Sequence, residues 1–279
     1  MTQKSADSRG AAVLRVGASG EKVLALQKAL AKAGFNPGGI DGKFGLATEA
    51  AVMAFQRSEN LLADGVAGPR TLAALAGRKP VPLPGGFAGK KPEEVLQIVA
   101  RMFPHTPLGN IKENLPPVLD SLRKAKLLDR LMVLMALATV RAETESFEPL
   151  AEGASRYNSS PDGHPFDLYD NRRDLGNRGK PDGFDFRGRG YVQLTGRDNY
   201  LRYGKTIGLG NRLIQSPEDA CKPDVAADLL AAFIGSKEIA IKEALLDRDF
   251  ARARRLVNGG SHGLDRFTDA YRIGIQLTA

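Results

Sequence analysis

The side chains best placed for chemistry are carboxylates. Glu143 follows an apolar run, Leu131 to Val140, that is clamped by Arg130 and Arg141. Met132, Ala136, Thr139, Val140 and Glu143 fall at i, i+4, i+7, i+8 and i+11, so on a helix they share one face. The glutamate continues a mostly apolar stripe and lies at the negative end of the helix dipole. Both effects disfavour its charged form. A carboxyl kept protonated near neutrality is what a general acid for glycosidic-bond cleavage requires. The same pattern also fits a stripe that ends one turn earlier, with Glu143 solvated like Glu145 and Glu148. A second group is Tyr191, Gln193 and Thr195, on one side of a short alternating strand with Val192 and Leu194 on the other. The apolar side should face the core and leave three polar side chains lining a surface. Taken alone, such a face is more often simply solvated.

These groups need elements to hold them. Residues 93–279 read mainly as helices, over Glu93–Phe103, Asp129–Thr144, Pro223–Lys237, Phe250–Val257 and Arg266–Leu277. From Pro149 to Arg189 the periodicity fails in a stretch dense in Gly, Asp, Asn and Arg, which reads as the wall of a functional cleft. Upstream, residues 14–77 read as three short helices. Val23, Leu26, Leu30 and Ala33 mark one face of the first, and Gly34 stops it. The second holds Ala51, Val52 and Phe55, and the third opens at Gly68-Pro69. An Asp-Gly pair recurs at Asp41-Gly42 and Asp64-Gly65, each followed by another glycine and a helix carrying a threonine, Thr48 or Thr71. Gly77–Pro92 holds four Pro, four Gly and four Lys or Arg with no acid, the composition of an exposed linker. The expected order is therefore a disordered N-terminus over 1–13, a small domain over 14–77, a linker over 78–92 and a larger domain over 93–279.

At this point two families come into view. Val23, Leu26-Gln27, Ile40-Asp41-Gly42, Phe44-Gly45, Thr48, Val52, Phe55-Gln56, Asp64-Gly65, Gly68 and Thr71 resemble, in order, the small three-helix peptidoglycan-binding domain of many cell-wall hydrolases. The resemblance implies binding of the wall's glycan or stem peptide without chemistry, through Asp41, Phe44, Thr48 and Asp64. Any one of these, Asp41 above all, also reads as a turn-forming residue that merely caps the next helix. FRGRGYVQLTGRDNY, over 186–200, resembles the signature of family 19 glycoside hydrolases, the chitinases and related phage lysozymes. Arg141-Ala142-Glu143-Thr144 is similar to that family's helix-borne acid motif, and Val257-Asn258-Gly259-Gly260 to its late loop.

The resemblance implies a mainly α fold: a three-helix binding domain plus a lysozyme-like, α-rich (α+β) catalytic domain with a short β element. It implies Glu143 as general acid, Thr195 and Gln193 as groups that bind substrate and hold the water, and Asn258 as a sugar contact. Tyr191 and Arg189 join the expected substrate-binding set. Phage lysozymes of this kind place an acid about nine residues after the first, which selects Glu152, with Asp162, Asp167 and Asp170 as fallbacks. The implied reaction inverts the anomeric centre, with carboxyl groups roughly 6.5–9.5 Å apart. The whole resembles a modular phage endolysin that cleaves the β-1,4 bond between N-acetylmuramic acid and N-acetylglucosamine. A chitinase and a non-catalytic wall-binding protein are the alternatives.

Composition bounds the rest. The 279 residues carry 40 Lys+Arg against 32 Asp+Glu, a formal charge of +8 that calls for an anionic partner. Residues 1–78 hold 10 basic and 6 acidic side chains, and the remainder 30 and 26, so the excess divides evenly. No helix-turn-helix or aromatic-basic strand pattern points to nucleic acid, and the family resemblance implies bacterial peptidoglycan as the anionic partner. One cysteine, Cys221, excludes a disulfide framework, and three histidines make a zinc cluster an unsuitable reading, so no metal or other cofactor is expected. Arg252, Arg254 and Arg255 read as a solvated helix face. MTQKSADSRG contains no apolar h-region, so no secretory signal is read there. The expectation is a monomer made in the host cytoplasm that reaches the periplasmic wall with a membrane-permeabilising, holin-like partner.

Overall fold

A computed structural model describes residues 13–59, 61, 63–77, 87, 89–260 and 262–278. The expected disordered N-terminus and most of the expected linker, 78–86, lie outside the described residues. The chain divides into two compact units, Met1–Leu83 with Glu243–Arg248, and Pro84–Lys242 with Asp249–Ala279.

The first unit is built on α1 (Glu21–Lys32), α2 (Leu46–Ser58) and α3 (Pro69–Leu75). Val23, Leu26, Leu30, Val52 and Phe55 form its core, as the helical spacing requires. Gly34 takes a left-handed φ of 88° just past the end of α1, the conformation a side chain would strain. The Asp-Gly repeat is a repeat of hydrogen bonding, with a buried glutamine at the centre of each copy. Gln27 Nε2 donates to Asp41 Oδ1 (3.1 Å), Lys43 O (3.0 Å) and Thr48 Oγ1 (3.2 Å), and its Oε1 accepts from Gly42 N (2.8 Å). Gln56 Nε2 donates to Asp64 Oδ1 (2.8 Å), Val66 O (2.9 Å) and Thr71 Oγ1 (3.1 Å), and its Oε1 accepts from Gly65 N (3.0 Å). Each aspartate also accepts from the backbone N–H two residues on, the Asx turn of the alternative reading.

These networks correct the wall-contact assignment for Phe44 and Thr48. Both are only 2% exposed, Phe44 in the core and Thr48 donating to Pro37 O. Asp41 and Asp64 shape the loops. The Lys43 backbone N–H, followed by the Gln27 amide, holds the Asp41 carboxyl below its usual range.

The second unit is mainly helical. It runs α4 (Pro92–Met102), α5 (Leu108–Lys124), α6 (Arg130–Thr144), the short α7 (Asp167–Asp170) and α8 (Asp182–Asp185), α9 (Arg197–Thr206), the short α10 (Arg212–Gln215), α11 (Pro223–Gly235), the first residues of α12 (Glu238–Leu246), α13 (Phe250–Asn258) and α14 (Leu264–Leu277). Its centre is α6, whose residues 130–142 and Thr144 are all buried. This exceeds the one-sided stripe that the sequence suggested, because α14 packs along one flank while other elements close the rest. Asp129 caps it by accepting from Leu131 N (3.1 Å) and Met132 N (3.2 Å). Around this axis α11 packs on α5, and α4 on both α5 and α14. No helix among the described residues is long and apolar enough to cross a membrane.

The expected short strand at 191–195 is instead a turn. Gly190 and Gln193 both take left-handed φ values, 73° and 48°, and fold the chain so that Arg189 and Leu194 meet in an isolated antiparallel bridge. Alternation therefore fails. Tyr191 points inward with Val192 and Leu194, and among the described residues the β element is reduced to isolated bridges.

Candidate active site

Glu143 sits in the last turn of α6 with its side chain 10% exposed. Its Oε1 accepts from Arg254 Nη2 at 2.7 Å, and Arg254 is fully buried. Arg254 Nε donates to His262 O (3.0 Å), as does Asn258 Nδ2 (3.1 Å). One arginine thus ties the carboxylate to the 258–263 loop. That loop lies against the end of α6: a Cβ on Gly263 would come within 2.9 Å of Ala142 O. Arg266 reinforces the contact, donating to Ala142 O and Glu145 Oε2, both at 3.1 Å. The sequence suggested a solvated Arg254, an expectation that its full burial corrects. The signal was present in the spacing: Ala253, Arg254 and Val257 form the buried face of α13, at i, i+1 and i+4. Arg252 and Arg255 lie off it.

Glu152 lies just beyond the turn that leaves α6. Its Oε1 accepts from Asn158 Nδ2 (2.9 Å) and Tyr169 OH (3.1 Å), and its Oε2 from Gly188 N (3.1 Å). Its own N–H donates to Gly188 O (2.7 Å). Gly188 leaves room for both side chains here. A Cβ at that position would lie 2.8 Å from Gln193 Oε1 and 3.1 Å from Glu152 Oε2, so the two side chains converge on the same small space. Gln193 is held by donating from Nε2 to Leu150 O (3.1 Å) and Gly190 O (3.0 Å). Thr195 is half-buried, and its hydroxyl donates to Gln193 O at 2.9 Å. Glu152, Gln193 and Thr195 therefore belong to one connected cluster, and Glu143 to a second, built on α13 and its following loop. The buried Phe147 packs 4.6 Å from Phe103 and 6.3 Å from Tyr191 in ring centroids.

Two expected substrate contacts are buried parts of the scaffold. Tyr191 is 0% exposed and donates to Asn114 Oδ1 (3.1 Å). Burial pushes its hydroxyl far above the usual phenol range. Arg189 is 5% exposed and donates to Asp185 O (2.5 Å) and Tyr200 OH (2.9 Å). The Gly-Arg-Gly turn carries Arg189 into the interior, where its charge braces α8 against α9. Asn258 is half-buried. Besides donating to His262 O, it accepts from Gly260 N (3.0 Å), which shapes its own loop.

The fallback aspartates hold the irregular segment together. Asp167 accepts from the Ser160 hydroxyl and from Ser160 N (2.7 Å), and these bonds hold its carboxyl below the usual range. Asp170 is buried between Gly183 N (2.8 Å) and His164 Nε2 (2.9 Å). Asp162 is exposed. Asp182, unremarked in the sequence, is paired to Arg197 (2.8 and 2.5 Å) and accepts from Arg178 N (2.8 Å).

Comparison with known proteins adds to this geometry. Residues 19–75 match the family model described as "Putative peptidoglycan binding domain". A glycosyl hydrolase family 19 domain-containing protein of Haemophilus influenzae is 29% identical over 119 residues, 43% of this chain and 56% of that protein. The N-acetylmuramoyl-L-alanine amidase CwlM of Mycobacterium tuberculosis is 48% identical over 56 residues, 20% of this chain and 14% of that protein. The crystal structure of a Burkholderia AP3 phage endolysin aligns with 93% of this chain and 98% of its own at 23% identity, with a TM-score of 0.27. The chain spans about half the length, or less, of these two curated relatives. Residues 19–75 are a domain of the peptidoglycan-binding type, and the chain is similar to cell-wall hydrolases.

Proposed function

We propose that the protein is a modular endolysin whose second unit hydrolyses the β-1,4 bond between N-acetylmuramic acid and N-acetylglucosamine in peptidoglycan. The observation that carries this reading is that the two carboxylates it needs are both held in place by fixed donors. Glu143 is bound by Arg254, a buried cation, and Glu152 by three neutral donors beside Gln193. Glu143 gives its proton to the glycosidic oxygen, and the guanidinium of Arg254 stabilises the carboxylate left behind. Glu152 takes a proton from the water that attacks the anomeric carbon from the opposite face, which inverts the centre. Gln193 and Thr195 orient that water and the sugar, and Asn258 contacts the glycan. The alignment with the Haemophilus protein supports the glycosidase reading because, at 119 residues, it is longer than the first unit.

The first unit holds the enzyme on the wall while the second works along the glycan. The protein acts at the cell wall in the periplasm, which it reaches through a membrane-permeabilising partner. The test is digestion of purified sacculi followed by mass spectrometry of the released fragments. The expected product carries a new reducing N-acetylmuramic acid end. A new peptide amino terminus would instead identify an amidase, and release from chitin alone a chitinase. Glu143→Gln is expected to abolish lysis, by at least about a hundredfold, while sedimentation with sacculi is unchanged. Undiminished lysis would refute the assignment.

A further inference from the structure

The hydrogen bonds around Glu152 are unequally divided, and the division says which oxygen works. A carboxylate offers about four lone-pair directions, two on each oxygen. Oε1 has both occupied, by Asn158 Nδ2 and Tyr169 OH, whereas Oε2 has one occupied, by Gly188 N. The remaining direction belongs to Oε2, the atom that shares the space beside Gly188 with Gln193 Oε1. We infer that Glu152 Oε2 is the atom that accepts the water's proton, and that Tyr169 and Asn158 are positioning residues that saturate Oε1 and fix the direction in which Oε2 points. This inference rests on the proposed role of Glu152 as the base.

Tyr169 suits the role. Its backbone is fixed independently of its hydroxyl: the N–H donates to Phe166 O (3.0 Å) and the carbonyl accepts from Asn177 Nδ2 (2.8 Å). Burial, with the Glu152 charge as the next cause, pushes the hydroxyl up to about 12, so it remains a donor across the working range. The charged groups that act on the Tyr169 hydroxyl are Glu152 and Arg172, and Arg172 is itself bound to Asp174 at 2.7 and 2.6 Å. Asn158 is fully buried and accepts from Ser155 N (2.7 Å) and the Ser159 hydroxyl (2.9 Å). Replacing it would disturb its turn as well as Glu152, which makes Tyr169→Phe the cleaner variant.

The experiment is the split between kcat and KM for full-length Tyr169→Phe on solubilised peptidoglycan strands. With one donor gone, Oε2 is no longer held toward the water, so kcat is expected to fall about fivefold with KM within about twofold, since the hydroxyl contacts the base and not the sugar. A tyrosine that only supports the loop would move kcat and KM together or neither, and either result would overturn the inference. A second variant separates this from the underlying reading. In Glu152→Ala the vacated space admits azide, which attacks the anomeric carbon as the C–O bond breaks, while the Glu143 proton goes to the departing oxygen. Recovery of turnover, with a glycosyl azide as product, supports Glu152 as the base. Full lysis by Glu152→Ala without azide would remove that reading and the inference with it. Azide rescue together with an unchanged kcat in Tyr169→Phe would remove the inference alone.

Discussion

A fully buried arginine bound to a nearly buried glutamate is stable only as a pair. Removing one partner leaves a charge without water, at a cost of about 3–5 kcal/mol, whereas replacing both costs much less. Arg254→Met is therefore expected to lower unfolding stability by about 3 kcal/mol and to abolish lysis together with it. Adding Glu143→Gln to Arg254→Met should recover part of that stability without restoring activity. Urea unfolding of the two single variants and the double variant measures the coupling. Additive losses would mean that the 2.7 Å contact contributes nothing. The pair also marks where residue-level reading of the sequence stopped. Glu143 was legible because an acid on an apolar helix is conspicuous. Its partner, 111 positions away, was not, because no local pattern links them. The same limit applies to Arg189 and Tyr191: their types suggested substrate contact, while tertiary packing placed both in the interior.

At the scale of elements, the first unit's loops depend on two glutamines that side-chain periodicity does not single out. Each satisfies buried backbone groups on both sides of an Asp-Gly turn. Substituting Gln27 or Gln56 by leucine strands those groups, and each change is expected to cost about 2–3 kcal/mol in chemical denaturation of the first unit. Near-equal losses are expected because the networks are copies; a loss at one site alone would contradict the equivalence. In the second unit the irregular segment has its own brace. Arg197, then the Arg178 backbone N–H, holds the Asp182 carboxyl below its usual range. A depressed carboxyl stabilises the fold above the unfolded value of about 4 and loses that contribution as pH falls through the lowered one. Asp182→Asn should therefore be less stable than the wild-type protein at pH 7, with the gap closing as pH falls below the unfolded carboxyl value of about 4. Thermal melts across that range measure it, and a constant gap would show that the pair does not titrate as assigned. Most long helices could be read to within a few residues. Three could not: α5 carries Pro116 and Pro117 inside it, which local rules take as a break, α9 is too polar to show a stripe, and α12 follows α11 too closely to be separated from it. The turn at 190–193 was misread for a related reason, since alternation over five residues cannot reveal a left-handed glutamine.

Across the whole molecule the excess of positive charge acquires a use. Stem-peptide carboxylates make the wall an anionic surface, and a net charge of +8 raises the rate of encounter with it. The excess divides as +4 over residues 1–78 and +4 over the remainder, so the attraction is a property of both units, whereas specific wall recognition is assigned to the first. Salt and truncation therefore act differently. Exposed charges are screened over about 10 Å at 0.1 M and about 3 Å at 1 M ionic strength. Adsorption of the inactive Glu143→Gln protein to sacculi should weaken as sodium chloride is raised over that range, without vanishing, because the hydrogen-bonding and apolar contacts of the first unit survive. A fragment holding residues 79–279 should lose most adsorption at every salt concentration and keep a weak, fully salt-sensitive remainder from its own excess. On soluble glycan fragments, where no surface must be found, its kcat should stay within about twofold of the full chain. Pull-down with sacculi and turnover of soluble fragments, run side by side, separate the two contributions. If the fragment lost activity on both substrates alike, the first unit would be part of the catalytic machinery and not an anchor for it.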